Sequence, residues 1–301
     1  MAEKARLTFL GTGCAIPTKR RAHPAVLLSY KNENILVDCG EGVQRQIRIA
    51  KINPCSIIKI LITHWHGDHT LGIPGLVQTL ELNGYNKQLD IYGPKGTKMF
   101  MDLYLRLFVH PNSINIQVHE IQTGKFFENE DIQLEAEQMN HNTPTFSYSF
   151  IIKEKSRLDK KKLSKLKIPN GPLIGELKQG KTILFNGKKI DGNRLLYKEE
   201  GKKISFILDT AINENCRKIA HNADLLISEA TFSQDEEENA KMTFHLTSKQ
   251  AAEIAKKANA KKLILMHLSQ RFEKDPSKLL KEAKSVFKNT ILAEDFMKLE
   301  I

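Results

Sequence analysis

Cysteine is sparse in this chain. Four thiols, Cys14, Cys39, Cys55 and Cys216, are spread over 301 residues, and no two form a CxxC pair. That spacing signals neither a paired-cysteine zinc site nor a dithiol redox motif. A chain of this length needs no disulfide framework, so reduced thiols in the cytoplasm are the expectation. Long apolar runs are missing as well. Only Leu7-Thr8-Phe9-Leu10 follows the charged stretch Met1 to Arg6, too little for a signal-peptide core, and no run approaches membrane-spanning length. A soluble, cytoplasmic protein with no membrane partner is expected. Acidic residues are the minority charge, 35 against 46 Lys and Arg, for a formal charge of +11. Such a surplus suits a polyanionic partner, although Lys-rich composition also arises as a thermal or genomic habit. With 41% hydrophobic and 27% charged residues the chain is of ordinary globular composition.

What is present is a concentrated set of metal donors. Thr63-His64-Trp65-His66-Gly67-Asp68-His69 follows the β-branched run Ile57 to Ile62, which reads as a buried strand. His64 and His66 are two apart and, in an extended loop, point to the same side. Asp68 and His69 are adjacent and are expected to point apart, which suggests one ion for each pair. Imidazole with carboxylate suits zinc or a similar divalent ion, and two such ions clamp a scissile phosphate. A lone histidine means little, but three with an aspartate in six residues behind an apolar strand favour metal. The HxHxDH spacing resembles the signature of the metallo-β-lactamase superfamily, whose members hydrolyse lactams, thioesters, sulfate esters and phosphodiesters. The resemblance implies a binuclear hydrolase without choosing its substrate.

The remaining pattern predicts strands over Leu7–Leu10, Ala25–Tyr30, Ile35–Asp38, Leu89–Tyr92, Ile116–Glu120, Ile132–Met139 and Pro144–Ile151. Helices are expected over Val43–Ala50, Leu71–Leu82 and Thr97–Phe108. In the second half a strand, a candidate ligand and a helix recur three times. Asp209, Glu229 and His267 each stand just beyond an apolar run, as His141 does earlier. Ser248 reads as a helix N-cap, and a last strand is expected from Ile291 onward. Early hairpins and late alternation fit two mixed sheets packed face to face with helices outside, an α/β (α+β layered) αββα sandwich spanning 1–301. Strand-end loops are where active sites collect in such folds.

One segment stands apart. Residues 155–203 hold fifteen Lys or Arg against five acids, so most of the positive surplus lies in about a sixth of the chain. It is poor in apolar periodicity and reads as an insertion, 155–200, projecting from the body. Most charge runs are solvated loops. Beside a phosphodiesterase site, however, a basic arm would hold a polyanion through phosphate contacts.

Taken together the chain resembles the ribonuclease Z family of tRNA 3′-processing endonucleases. The likeness rests on Phe9-Leu10-Gly11-Thr12-Gly13, Asp38-Cys39-Gly40-Glu41-Gly42 with Gln44, the metal loop, and His141 before an aromatic strand. It continues through the insertion with Gly171-Pro172, Asp209-Thr210, Ser228-Glu229-Ala230-Thr231-Phe232, His245, and His267 ahead of Arg271-Phe272. The resemblance implies one zinc on His64, His66 and His141, a second on Asp68, His69 and His267, and Asp209 between them; manganese or iron are alternatives to zinc. It implies Asp68 as acceptor of the proton of the attacking water, and His245 supported by Glu229 as donor to the leaving oxygen. It implies the insertion as a flexible arm gripping precursor tRNA, with Lys160, Lys161, Lys162, Lys165, Lys167, Gly171 and Pro172 as candidate contacts, and a homodimer. The chain departs from the family pattern at Leu208, Leu246 and Ser228, where Gly, Ser and His are usual. Two other readings remain open: a hydrolase of small esters or cyclic nucleotides, and a noncatalytic zinc-dependent RNA-binding module.

Overall fold

Apolar strands that bury one face must find a second layer, and here two sheets supply it for each other. The computed structural model describes residues 3–107, 109, 113–169 and 171–301. Strands β1 (Arg6–Gly11), β2 (Ala25–Tyr30) and β3 (Glu33–Val37) form an antiparallel meander. After α1 (Val43–Ile49), strands β4 (Lys59–Leu61), β5 (Gln88–Gly93) and β6 (Asn115–Glu120) join in parallel. The short α2 (Gly67–Thr70) and α3 (Ile73–Leu82) link β4 to β5, and α4 (Thr97–Leu107) links β5 to β6. Phe108, the expected end of that helix, lies outside the described residues.

The second sheet begins with β7 (Gly124–Glu128), β8 (Ile132–Gln138) and β9 (Phe146–Ile152), all antiparallel. The insertion then interrupts it with β10 (Lys155–Leu158), α5 (Lys160–Leu166), α6 (Pro172–Lys178), β11 (Thr182–Phe185), β12 (Lys188–Asp191) and β13 (Leu196–Glu199). The sheet resumes with β14 (Lys202–Ile207), α7 (Glu214–Ala220), β15 (Leu225–Glu229), α8 (Glu237–Met242), α9 (Ser248–Lys257), β16 (Leu263–Met266), α10 (Ser277–Val286) and β17 (Thr290–Leu292). Finally β18 (Lys298–Glu300) crosses back to pair with β1. Among the described residues each sheet has seven strands, ordered β18-β1-β2-β3-β4-β5-β6 and β17-β16-β15-β14-β9-β8-β7.

Between the sheets lies one apolar layer. Leu7, Phe9, Val26 and Leu28 meet Leu134, Tyr148, Phe150 and Phe206 there. Outside, Ile47, Ile73 and Leu76 of α1 and α3 cover the first sheet, while Ile219, Ala251 and Leu279 of α7, α9 and α10 cover the second. The architecture is the αββα sandwich expected. Strand β8 alternates buried Ile132, Leu134 and Ala136 with less buried neighbours, the mark of a one-sided strand. In contrast β15 and β16 are buried throughout, because helices and the other sheet cover both faces.

Several local expectations are corrected. The helix at Ser248 is capped one residue earlier, where Thr247 and Gln250 form a reciprocal capping box. The stretch after Ile291 divides into β17 and β18, in different sheets. Strand β7 was not foreseen, since Gly124 to Glu128 carries too few apolar residues to signal it. The insertion is not a plain loop. Leu177, Ile183 and Leu195 form a small core of their own, flanked by Leu158, Leu163, Leu173 and Phe185. Its root, β10 paired with β13, is tied by Arg157 to Glu199 at 2.7 Å and by Lys155 to Asp131. No helix among the described residues is long and apolar enough to cross a membrane.

Candidate active site

The donor side chains singled out in the sequence arrive at one edge of the sandwich, several of them just beyond strand ends, the metal loop through α2, and His245 from the turn between α8 and α9. Strand β3 leads to Asp38, β4 to His64, β8 to His141, β14 to Asp209 and β16 to His267, and β15 ends at Glu229. Asp38, Asp209 and His267 have φ of 55°, 45° and 57°, in the left-handed region. Non-glycine residues are uncommon there, and Asp and His are among those enriched. The sharp turn lifts each side chain off its strand toward the shared edge. Gly40 lets the β3 loop pass beneath the metal loop: a Cβ there would lie 2.4 Å from the Asp68 carbonyl oxygen.

His64, His66, His141 and Asp209 place ligand atoms within 4.8 Å of one another, and so do Asp68, His69, Asp209 and His267. Asp209 belongs to both groups. Its Oδ2 lies 3.6 Å from His64 Nε2 and 3.4 Å from His69 Nε2, and its Oδ1 lies 3.1 Å from His267 Nε2. Asp68 and His69 do not point apart as an extended loop would have them. They lie in the helical turn α2, which brings Asp68 Oδ2 to 3.3 Å from His69 Nε2 and 3.5 Å from His267 Nε2.

The outer nitrogens of four histidines are held from behind. His69 Nδ1 donates to Asp38 at 2.7 Å. His64 Nδ1 donates to the Thr63 hydroxyl at 3.0 Å, and that hydroxyl donates to Asp38 at 2.9 Å. His141 Nδ1 donates to the Phe244 carbonyl at 3.1 Å. His267 Nδ1 donates to Thr231 Oγ1 at 2.9 Å, which in turn donates to Glu229 at 2.6 Å. Each of these bonds leaves an Nε2 lone pair facing inward, the arrangement that metal-ligating histidines use. Among the described residues, His64 Nε2, Asp68 Oδ2 and Asp209 Oδ1 are buried without a hydrogen-bond partner. Buried polar atoms are seldom left so, and imidazole with carboxylate donors suits a zinc-like ion. The residues present therefore fit a divalent metal. Asp38, Thr63 and Thr231 escaped the sequence reading as supports; the signal for Asp38 was its place directly after the apolar run Ile35-Leu36-Val37.

The electrostatics agree with a cation site. Burial raises the Asp68 and Asp209 carboxyls, but the neighbouring histidines outweigh it and hold both well below the usual range. Burial pushes the His64 imidazole down. Burial also opposes charge on His69, yet Asp209, Asp38 and Asp68 raise it.

His245 stands beside this cluster. Its Nδ1 is 3.1 Å from Glu229 Oε1, and Glu229 is fully buried with a further bond from Thr210 N at 2.8 Å. Burial opposes its charge, but Glu229 and Asp209 prevail and raise it to about 9. His245 shares a cleft of about 220 Å³ with His66, Asp68, Asp209 and His267. The arm residues Lys160, Lys161, Lys162, Lys165 and Lys167 lie on or just after α5, and Gly171 and Pro172 at the start of α6; none of them lines that cleft.

Two family models match the chain: one described as Anti-Pycsar protein Apyc1 over residues 5–162, and a Beta-lactamase superfamily domain over residues 189–268. Ribonuclease Z of Archaeoglobus fulgidus is 38% identical over 98% of this chain and 97% of its own. Ribonuclease Z of Bacillus thuringiensis is 40% identical over 95% of this chain and 96% of its own. The crystal structure of the short form of human tRNase Z covers 98% of both chains at 29% identity with a TM-score of 0.71. The chain belongs to the ribonuclease Z family, metal-dependent hydrolases of the metallo-β-lactamase fold.

Proposed function

We propose that this protein is an endoribonuclease that removes the 3′ trailer of precursor tRNA, cutting after the discriminator nucleotide. The convergence of two inward-facing donor groups sharing Asp209, with His245 on the same cleft and backed by the buried Glu229, carries the reading. A noncatalytic RNA-binding module has no use for an acid–base pair set beside an open donor cluster. The basic arm and the names of the relatives favour precursor tRNA over a small ester or cyclic nucleotide.

His64, His66 and His141 would hold one Zn2+ (Mn2+ or Fe2+ in its place), Asp68, His69 and His267 a second, with Asp209 between them. When bound, such ions lower the pKa of a water toward neutrality and screen charge building on the phosphoryl oxygens. Asp68 orients the attacking water and accepts its proton. His245, oriented by Glu229, gives a proton to the departing 3′ oxygen. The products are a tRNA with a 3′-hydroxyl and a trailer with a 5′-phosphate. The lysines of α5 and the Gly171-Pro172 turn would contact the RNA away from the cut, positioning it without reading its bases. A homodimer accords with the exposed Met99, Leu103 and Leu107 along α4.

One assay tests the reading. Purified protein is incubated with a trailer-bearing precursor tRNA, a cyclic nucleotide and a simple phosphodiester, with and without chelator, and products are mapped. A single chelator-sensitive cut after the discriminator is expected. Hydrolysis of the cyclic nucleotide alone would move the protein to the small-substrate reading, and binding of RNA without any cut would make it a binding module.

A further inference from the structure

The cleft has walls that neither the metal donors nor the His245–Glu229 pair uses: Ile16, Phe232, Gln270 and Arg271. At about 220 Å³ it is smaller than the roughly 300–1,000 Å³ of sites that enclose a drug-sized ligand, so it suits one nucleotide unit. The Arg271 guanidinium lies over the Phe232 ring, 5.6 Å from its centroid, and is pinned by Glu236 at 2.8 Å. The Arg271 side chain is nevertheless 53% exposed. Its charge is already paired with a carboxylate, so what it offers is chiefly a flat, fixed surface and less a free positive charge. Ile16, an apolar side chain 54% exposed, lines the same cleft. The Gln270 oxygen is taken by Ser269 at 3.1 Å, while its amide nitrogen has no partner among the described residues.

We propose that Arg271, seated on Phe232, is the stacking platform for the base of the discriminator nucleotide. The assignment rests on the precursor-tRNA reading above. The side follows from the chemistry: His245 protonates the oxygen that stays on the tRNA, so the nucleotide beside His245 is the one that keeps its 3′-hydroxyl. The Phe232 ring is 6.1 Å from the His245 ring, on that side of the reacting phosphate. Bases splayed out of a single strand stack on aromatic rings and guanidinium planes, and stacking accepts any base because every base has a flat face. The site is thus a positioning device that tolerates each discriminator but needs a base to be there. Lysine has no plane and is not a substitute for arginine here.

The test uses metal-free protein, which reads binding apart from cleavage, and a precursor tRNA carrying 2-aminopurine at the discriminator. Its fluorescence falls when the base stacks. Saturating wild-type protein is expected to quench it several-fold, and Arg271→Lys, which keeps the charge, to leave most of the signal; Phe232→Leu supplies a second variant should Arg271→Lys misfold. With metal restored, an abasic discriminator should lower the wild-type kcat/KM by roughly 5–150-fold, and much less in Arg271→Lys. Equal quenching by wild type and a folded variant, with an equal abasic penalty, overturns the subsite. A wild-type enzyme that cuts precursor tRNA without quenching also removes the subsite and leaves the parent reading intact. A wild-type protein that quenches the probe but never cuts removes the parent reading, and with it the assignment of the stacked base to a cleavage subsite.

Discussion

At the scale of single residues, the site depends on groups that hold other groups. Asp38 is fully buried and receives bonds from His69, from Thr63 N at 2.8 Å and from the Thr63 hydroxyl. Replacing it by asparagine keeps the shape but presents an NH2 where an acceptor is needed. Asp38→Asn is therefore expected to weaken metal affinity by about 10–100-fold with circular dichroism unchanged, measured by competition against a chromophoric chelator. Unchanged affinity would mean that His69 is oriented by packing alone. If His245 acts on a proton and not on binding, as proposed, His245→Ala should lower kcat on precursor tRNA by roughly 10²–10⁴-fold with KM nearly constant. Steady-state kinetics separate the two terms, and a loss confined to KM would reassign His245 to substrate contact.

At the scale of elements, the insertion folds on a stalk. Ser156 pairs with Lys198 across β10 and β13, so residues 157–196 can be replaced by two residues that, with Tyr197, close a short turn and keep the ladder between Lys155–Ser156 and Lys198–Glu199. This excision is expected to raise KM for precursor tRNA by about tenfold or more while changing hydrolysis of a simple phosphodiester far less. An equal loss on both substrates would make the insertion a structural part. The seam between β14 and β15 offers a second element-scale test. Asp224, at the start of β15, accepts from Lys203 N at 2.9 Å and Lys261 Nζ at 2.8 Å. Burial would raise its carboxyl, but these bonds prevail and depress it below its ordinary value. A depressed folded pKa gives stability that is present above the unfolded value near 4 and fades as pH falls through the folded one. Asp224→Asn should therefore cost about 1 kcal/mol at pH 7 and progressively less as the pH falls below about 4, read from urea midpoints. A pH-independent difference would contradict the assignment.

For the whole molecule, the positive charge gathered in the insertion makes the salt dependence of binding a test of how substrate is met. If the five lysines at and after α5 each engage a phosphate, affinity for precursor tRNA falls roughly 10²–10³-fold between 50 and 200 mM salt. Filter binding with metal-free protein measures this slope, and the arm-less protein should show a shallower one. Identical slopes would move the electrostatic grip onto the body of the sandwich.

Much of this was legible in the chain itself. Period-two alternation in β8 and the continuous apolar run of β16 state their burial directly, because side-chain direction in a strand follows from position alone. His64, His66, Asp68 and His69 fall within six residues, so local spacing announces a donor cluster. Local spacing could not state that Asp68 and His69 converge, since that needs the helical turn of α2. Nor could it find β7, whose few apolar residues gain their meaning only from pairing with β8. His141, Asp209, His245 and His267 are brought to the first cluster by strand order and by left-handed turns at Asp209 and His267. The sequence by itself determined the donor chemistry, the sandwich class and the place of the basic arm, because these depend on residue type and short-range period. Tertiary structure alone decided which histidine nitrogens face inward and which groups hold them, because those contacts join residues far apart in the chain, such as Thr231 with His267 and Asp38 with His69.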